Sequence, residues 1–308
     1  MNDRVTVTIE GGVADVRLVR ADKMNALDDA MFGALIEAGE RLKTAPGVRA
    51  VVLSGEGRAF CAGLDMGNFG RMAEGSQGRR PVDGGLSSRT HGIANRAQYA
   101  VWVWREIPVP VIAAVHGVAF GGGFQLALGA DMRFVAPDAR LAVLEIKWGL
   151  VPDMAGTQLM RHLAREDVVR ELTFTGRIFS GEEALAYGFA TRVCADPRAE
   201  ALTVATEIAA RNPHAIRASK RILNAAVITD PGSGLLQETV EQIALIGSPN
   251  QVEAVLANLQ KRAPAFTDPT TGLTQESVEQ GRLIGAPNQV EAVMSNLQKR
   301  PAVYADPA

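Results

Sequence analysis

Two glycine-bearing stretches hold the residues best suited to chemistry. Gly121-Gly122-Gly123 lies between an apolar β-type run, Val109 to Val115, and a short helical pattern, Phe124 to Leu128. Gly57-Arg58-Ala59-Phe60-Cys61-Ala62-Gly63-Leu64-Asp65 follows a second apolar run, Val48 to Leu53. Small residues at a strand-to-helix junction let another molecule approach the main chain, because no Cβ stands in the way. They also leave free N–H groups at the start of a helix, where the macrodipole favours negative charge. One such loop alone reads more simply as a tight turn in a packed core. Two of them can aim two N–H donors at one oxygen, which is what an oxyanion formed during a reaction requires.

The elements that must position these loops follow from hydrophobic periodicity. Val5 to Ile9 and Val13 to Val19 alternate apolar and polar residues around Gly11-Gly12, which predicts a β-hairpin. Arg20 to Leu27 reads as a loop. Asp28 can cap a helix whose apolar positions are Met31, Leu35, Ile36 and Leu42, ended by Pro46-Gly47. Gly67 to Arg89 has few large apolar residues and reads as a surface loop or lid; Arg71, Arg79, Arg80 and Arg89 could meet phosphates or simply be solvated. His91 to Glu106 reads as a helix, with Trp102 and Trp104 as core or pocket wall. Short strands are expected at Met132 to Val135 and Arg140 to Val143. A helix is expected from the Val151-to-Gly156 segment to Leu163, then another over Glu166 to Thr173. Ser180 and Glu183 form a capping box for a helix through Ala186. Helices at Ala199 to Ala210 and Pro213 to Ala226 come next. Strands alternate with helices up to about residue 195 and only helices follow, which predicts an α/β core with a helical C-terminal region.

Bulk properties narrow the class. The 308 residues can bury a large core, and the formal net charge of -2 argues against nucleic acid or an anionic membrane as the main partner. No apolar run approaches the roughly 20 residues of a membrane helix, and the first dozen residues lack a secretory signal pattern. The two cysteines, Cys61 and Cys194, form no CxxC pair, which speaks against zinc or a disulfide framework and fits a reducing cytoplasm. His91, His116, His162 and His214 have no metal-ligand spacing, so no metal site is expected. A dinucleotide-binding turn is rejected, because Leu126 stands where GxGxxG needs glycine.

The C-terminus carries an internal repeat: residues 231–268 recur at 269–306, with PNQVEAV starting at Pro249 and Pro287, and NLQKR at Asn258 and Asn296. Each copy reads as two helices. In the first, Val252, Val255, Leu256 and Leu259 make an apolar stripe, with Ser248 and Gln251 as a capping box around Pro249. In the second, Ala286 replaces the capping serine, and Leu236, Ile243 and Ala244 become Thr274, Gly281 and Arg282. The first copy is therefore expected to pack, and the second to lie peripherally or against a neighbouring subunit.

The pair AFCAGLD (from Ala59) and IAAVHGVAFGGG (from Ile112) resembles the two signatures of the crotonase superfamily, the enoyl-CoA hydratases and isomerases, over about Val5 to Arg262. The resemblance implies a spiral of repeated ββα units with a C-terminal helical region. It implies a helical trimerisation region after the core; with the strand–helix pattern and the repeat, the chain divides into a core over 1–195, that helical region over 196–268 and a peripheral extension over 269–308. It implies an acyl-CoA substrate, with coenzyme A as part of that substrate and no separate cofactor, and a homotrimer or a dimer of trimers. The oxyanion donors would be the Leu64 and Gly122 amides, and the carbonyls of Asp22, Ala62 and Met66 would hold the adenine. The two-glutamate hydratases carry Glu where this chain has Gln125, whose amide can orient water or substrate but not exchange a proton. The other family glutamate matches Glu145, the expected base. Asp153 resembles the acid of the dienoyl-CoA isomerase branch, although that branch has Asp at the position of Gln125; from spacing alone Asp153 could equally be a helix cap. Loss of one glutamate favours double-bond isomerisation over hydration. A hydratase and a non-catalytic acyl-CoA binder are the alternatives.

Overall fold

The computed structural model describes residues 3–67, 86–269 and 300–301. Most of the Gly67-to-Arg89 segment, with Arg71, Arg79 and Arg80, and nearly all of the second repeat copy lie outside the described residues.

Two sheets organise the first unit, which runs to Arg211. The large sheet begins with an antiparallel hairpin, β1 (Val5–Glu10) and β2 (Val13–Leu18), in the register Val5↔Leu18. It continues in parallel through β3 (Ala50–Gly55), β4 (Val111–Val115), β6 (Met132–Val135) and β9 (Arg192–Val193). The small sheet holds β5 (Val118–Phe120), β7 (Arg140–Ala142) and β8 (Phe179–Ser180). Successive turns of chain alternate between the sheets: β4 in the large one, β5 in the small one, helix α3 (Gly122–Leu128), then β6, β7 and on. A bridge between Cys61 and Ala119 extends the small-sheet layer to the first glycine loop. This is a ββα spiral of α/β class.

Every residue of β3 and β4 is buried, as near-continuous apolar strands must be when both faces are covered. Period-two alternation sorts them. Val51, Leu53, Val111, Ala113 and Val115 face one core, which includes α1 (Asp29–Thr44) and α2 (Arg96–Glu106). Ala50, Val52, Ile112 and Ala114 face the other, closed by Ala201, Ala205 and Ala209 of helix α7 (Pro197–Ala209). The remaining helices of this unit are α4 (Gly156–Met160), α5 (Glu166–Thr175) and α6 (Gly181–Tyr187). Asp28 caps α1 through the Met31 amide, and the Ser180–Glu183 capping box starts α6.

The second unit starts at Asn212 and contains α8 (Pro213–Ala226), α9 (Pro231–Leu245) and α10 (Pro249–Leu259). The division thus falls between Arg211 and Asn212, later than residue 195, because the alanine face of α7 packs on the sheet.

Four local expectations need correction. The helix expected from His91 begins at Arg96, because a tight His91–Ala94 turn precedes it and Asn95 and Gln98 form a capping box. The helix after residue 151 is one short turn, α4. Ser248 makes no side-chain cap; Gln251 instead accepts the Gly247 amide at 3.0 Å, and the Ser248 hydroxyl is left buried without a partner. Val252, Val255, Leu256 and Leu259 are exposed on this chain rather than packed, Leu259 by 76%.

Candidate active site

The two glycine loops meet. The Cys61 amide donates to the Val118 carbonyl and the Phe120 amide to the Cys61 carbonyl, both at 3.1 Å. Gly63 adopts φ +86°, a conformation that side chains resist. A Cβ there would lie 2.5 Å from the Phe120 carbonyl and 3.7 Å from the Gly122 amide nitrogen. Leu64, the next residue, and Gly122 therefore bring their main chains together. Among the described residues, neither amide donates a hydrogen bond within the protein. Gly122 opens α3, so its N–H is one of the helix's unsatisfied first-turn donors.

The carboxylate side is equally local. Gly121 takes φ +50°, and a Cβ there would stand 3.2 Å from Glu145 Oε1, which puts the Glu145 carboxyl against the residue preceding the Gly122 amide. Glu145 opens a 3-10 turn, Glu145–Trp148, and is 9% exposed. Burial raises its pKa; the Gln125 hydrogen bond opposes this, and the negative charge of Asp153 reinforces it. Asp153 is more open to solvent, yet desolvation of its carboxyl raises its pKa too. It caps nothing: Ala155 is the residue preceding α4, and no side chain caps that helix.

Gln125 does not face open space. Its side-chain amide donates to Glu145 Oε1 at 2.6 Å, and its carbonyl accepts from the Met154 and Gly156 amides at 2.8 and 2.9 Å. Phe124, its neighbour, anchors α3 edge-on to Phe179 and Phe189.

Of the residues expected to hold adenine, Asp22 is exposed on a 3-10 turn, Ala21–Lys23, and Ala62 is half-buried. The Ala62 amide donates to the Met24 carbonyl at 2.9 Å, so these segments run side by side. Met66 is 64% exposed beyond them. Cys61 is no nucleophile: its thiol is sealed in the core, donates to the Asn25 carbonyl at 3.1 Å, and burial pushes its pKa up to about 12. His116 donates from Nε2 to the Gly57 carbonyl, 2.9 Å away, a structural contact. Among the described residues no group of His, Cys, Asp or Glu could hold a metal ion, and none of their helices is long and apolar enough to cross a membrane.

Sequence reasoning overlooked two residues that hold the first loop. Asn25 is fully buried at φ +56°, and its amide donates to the Glu56 and Ala59 carbonyls at 3.0 and 2.9 Å. Asn tolerates the left-handed region and carries its own donors, which is the only local signal it offered. Arg20 ties Asp65 at 2.6 Å and the Ala26 carbonyl at 3.0 Å, with Asp28 at 3.5 Å. The Gly67 amide and Arg20 hold the Asp65 carboxyl below the ordinary carboxylate range.

Comparison with known proteins agrees with this geometry. Residues 8–269 match the family model described as Enoyl-CoA hydratase/isomerase. The mitochondrial methylglutaconyl-CoA hydratase of Mus musculus is 30% identical over 262 residues, covering 83% of this chain and 79% of that protein. The mitochondrial Delta(3,5)-Delta(2,4)-dienoyl-CoA isomerase of Homo sapiens is 34% identical over 212 residues, covering 68% and 64%. An enoyl-CoA hydratase of Bacillus anthracis superposes with a TM-score of 0.75 at 27% identity, covering 85% of this chain and 98% of that one. One from Mycobacterium smegmatis does so at 0.72 and 31%, with the same coverage. The match spans the sheets, both glycine loops and the helices that follow, and on that extent the chain belongs to the enoyl-CoA hydratase/isomerase family of the crotonase superfamily.

Proposed function

We propose that this enzyme moves the double bond of an unsaturated acyl-CoA through a thioester enolate. The observation that carries the reading is one buried carboxyl, Glu145, set against a loop whose neighbouring amides, Leu64 and Gly122, have no acceptor among the described residues. Glu145 takes the proton next to the thioester carbonyl, while the two amides hold the charge that develops on the oxygen. A raised pKa brings a carboxyl closer to the range in which a proton can be taken and given back. The carbonyls of Asp22, Ala62 and Met66 hold the adenine of coenzyme A, which belongs to the substrate; the mechanism needs no other cofactor.

Water addition is a second reading with one observation in its favour. The Gln125 amide nitrogen makes one hydrogen bond among the described residues, to Glu145, which leaves a second N–H for a water. The assembly is a homotrimer or a pair of trimers: Leu223, Leu235, Ile243 and Leu259 of the C-terminal unit are each more than 60% exposed, and a partner copy would cover them. The two unpaired cysteines and balanced charge fit the cytoplasm. The test is a panel of 2-enoyl- and 3-enoyl-CoA thioesters followed for migration and hydration in parallel. Migration abolished by Glu145→Gln is expected; full activity of Glu145→Gln in both assays overturns the reading.

A further inference from the structure

Gln125 is wired more tightly than an orienting side chain needs to be. It is 1% exposed, and its carbonyl oxygen takes two main-chain donors, the Met154 and Gly156 amides. Ala155, between them, sits at φ +67°, a strained conformation for a residue with a Cβ, and this turn aims both amides at one acceptor. An amide side chain has fixed polarity. Flipping Gln125 would set its NH2 against two N–H donors, so its orientation is locked. Its Nε2–H must then face Glu145 Oε1, at 2.6 Å. A proton on that oxygen would oppose the donor. Glu145 Oε2, in contrast, is out of contact with solvent and has no hydrogen-bond partner.

We propose that Gln125 is a positioning residue: its locked amide holds Oε1 and so sets the orientation and ionisation of the Glu145 carboxyl. This rests on the enolate reading above. The C–H bond beside the thioester carbonyl breaks, its electron pair forms a C=C bond to the carbonyl carbon as the C=O π pair moves to the oxygen, and the proton goes to the Glu145 carboxyl. The carbonyl then re-forms, the enolate C=C pair becomes the α,β double bond, the former β,γ pair takes the proton at the γ carbon, and the Glu145 carboxyl supplies that proton. Nothing is oxidised or reduced. The negative charge of Asp153 reaches Glu145 and favours its protonated form.

The test compares Gln125→Met, Gln125→Glu and the parent enzyme. Glutamate labelled with carbon-13 at the carboxyl reports the ionisation of Glu145, its signal assigned by loss in Glu145→Gln. Gln125→Met removes the donor that favours the ionised form, so the titration moves to higher pH by about one unit or more. The acid limb of kcat/KM for double-bond migration in trans-3-hexenoyl-CoA moves with it. Gln125→Glu keeps the acceptor for the Met154 and Gly156 amides, so it guards against a folding failure of the methionine variant. It sets two carboxyls at one proton's distance, and the pair titrates in two separated steps. A merely structural Gln125 would lower thermal stability and activity and leave the Glu145 titration where it was; that result in both variants overturns the proposal. A parent enzyme inactive on every thioester overturns the enolate reading instead, while the titration still judges the wiring.

Discussion

The amide half of the site and the carboxyl half are built in opposite ways. The amide half presents main chain: the Leu64 and Gly122 amides are placed by strand pairing through Cys61, Val118 and Phe120, with the Asn25 side chain bracing the first loop. The carboxyl half is side-chain work: Gln125 holds one oxygen of Glu145, and the Met154–Gly156 turn holds Gln125. Rigidity comes from the sheet in the first case and from a hydrogen-bond relay in the second. The first half should therefore fail by misfolding, and the second by losing chemistry in an intact fold.

The largest effect separates them at once. Glu145→Gln is expected to lower kcat about 100- to 10,000-fold with an unchanged circular dichroism spectrum, as loss of a general base does. Gly63→Ala attacks the other half: its Cβ would meet the Phe120 carbonyl at 2.5 Å in a left-handed conformation. Turnover should fall about 100-fold or more, as when one oxyanion donor is lost, and stability with it by about 1–3 kcal/mol, read by denaturant melts. Asn25→Ala should cost about 2 kcal/mol by leaving the Glu56 and Ala59 carbonyls without their donor, with a smaller loss of kcat/KM.

The smallest effect sharpens the comparison by its sign. Glu145 binds its proton more tightly folded than unfolded, so ionising it costs stability as pH rises above the ordinary glutamate value. Glu145→Gln removes that cost. Its melting temperature should exceed the parent's at pH 8, and the gap should close as pH falls towards about 4. A variant that melts lower than the parent at pH 8 would mean that Glu145 supports the fold rather than burdening it.

What could be read from the chain follows the same division. Strands β3 and β4, the cap at Asp28 and the capping box at Ser180 are local, period-based signals, and each appears where the residues put it. The glycine loops were legible because small residues at strand ends have few other uses. Asn25 and the Arg20–Asp65 pair were not, since the partners lie about 30 to 45 residues apart and nothing in spacing announces them. The wiring of Gln125 was hidden for the same reason, as it depends on a turn whose left-handed residue is Ala155 and not the neighbouring Gly156. The Val252–Leu259 stripe shows the converse: periodicity gave the face of α10 correctly and could not say what covers it.

The acceptor that Gln125 offers to the Met154 and Gly156 amides would be served equally by a carboxylate oxygen, so the turn is indifferent to glutamine or glutamate at this position. The codons for those two amino acids differ by a single base. A lineage built on this scaffold could therefore cross between one-acid and two-acid catalysis in a single mutational step, with selection acting on proton inventory alone and the architecture untouched.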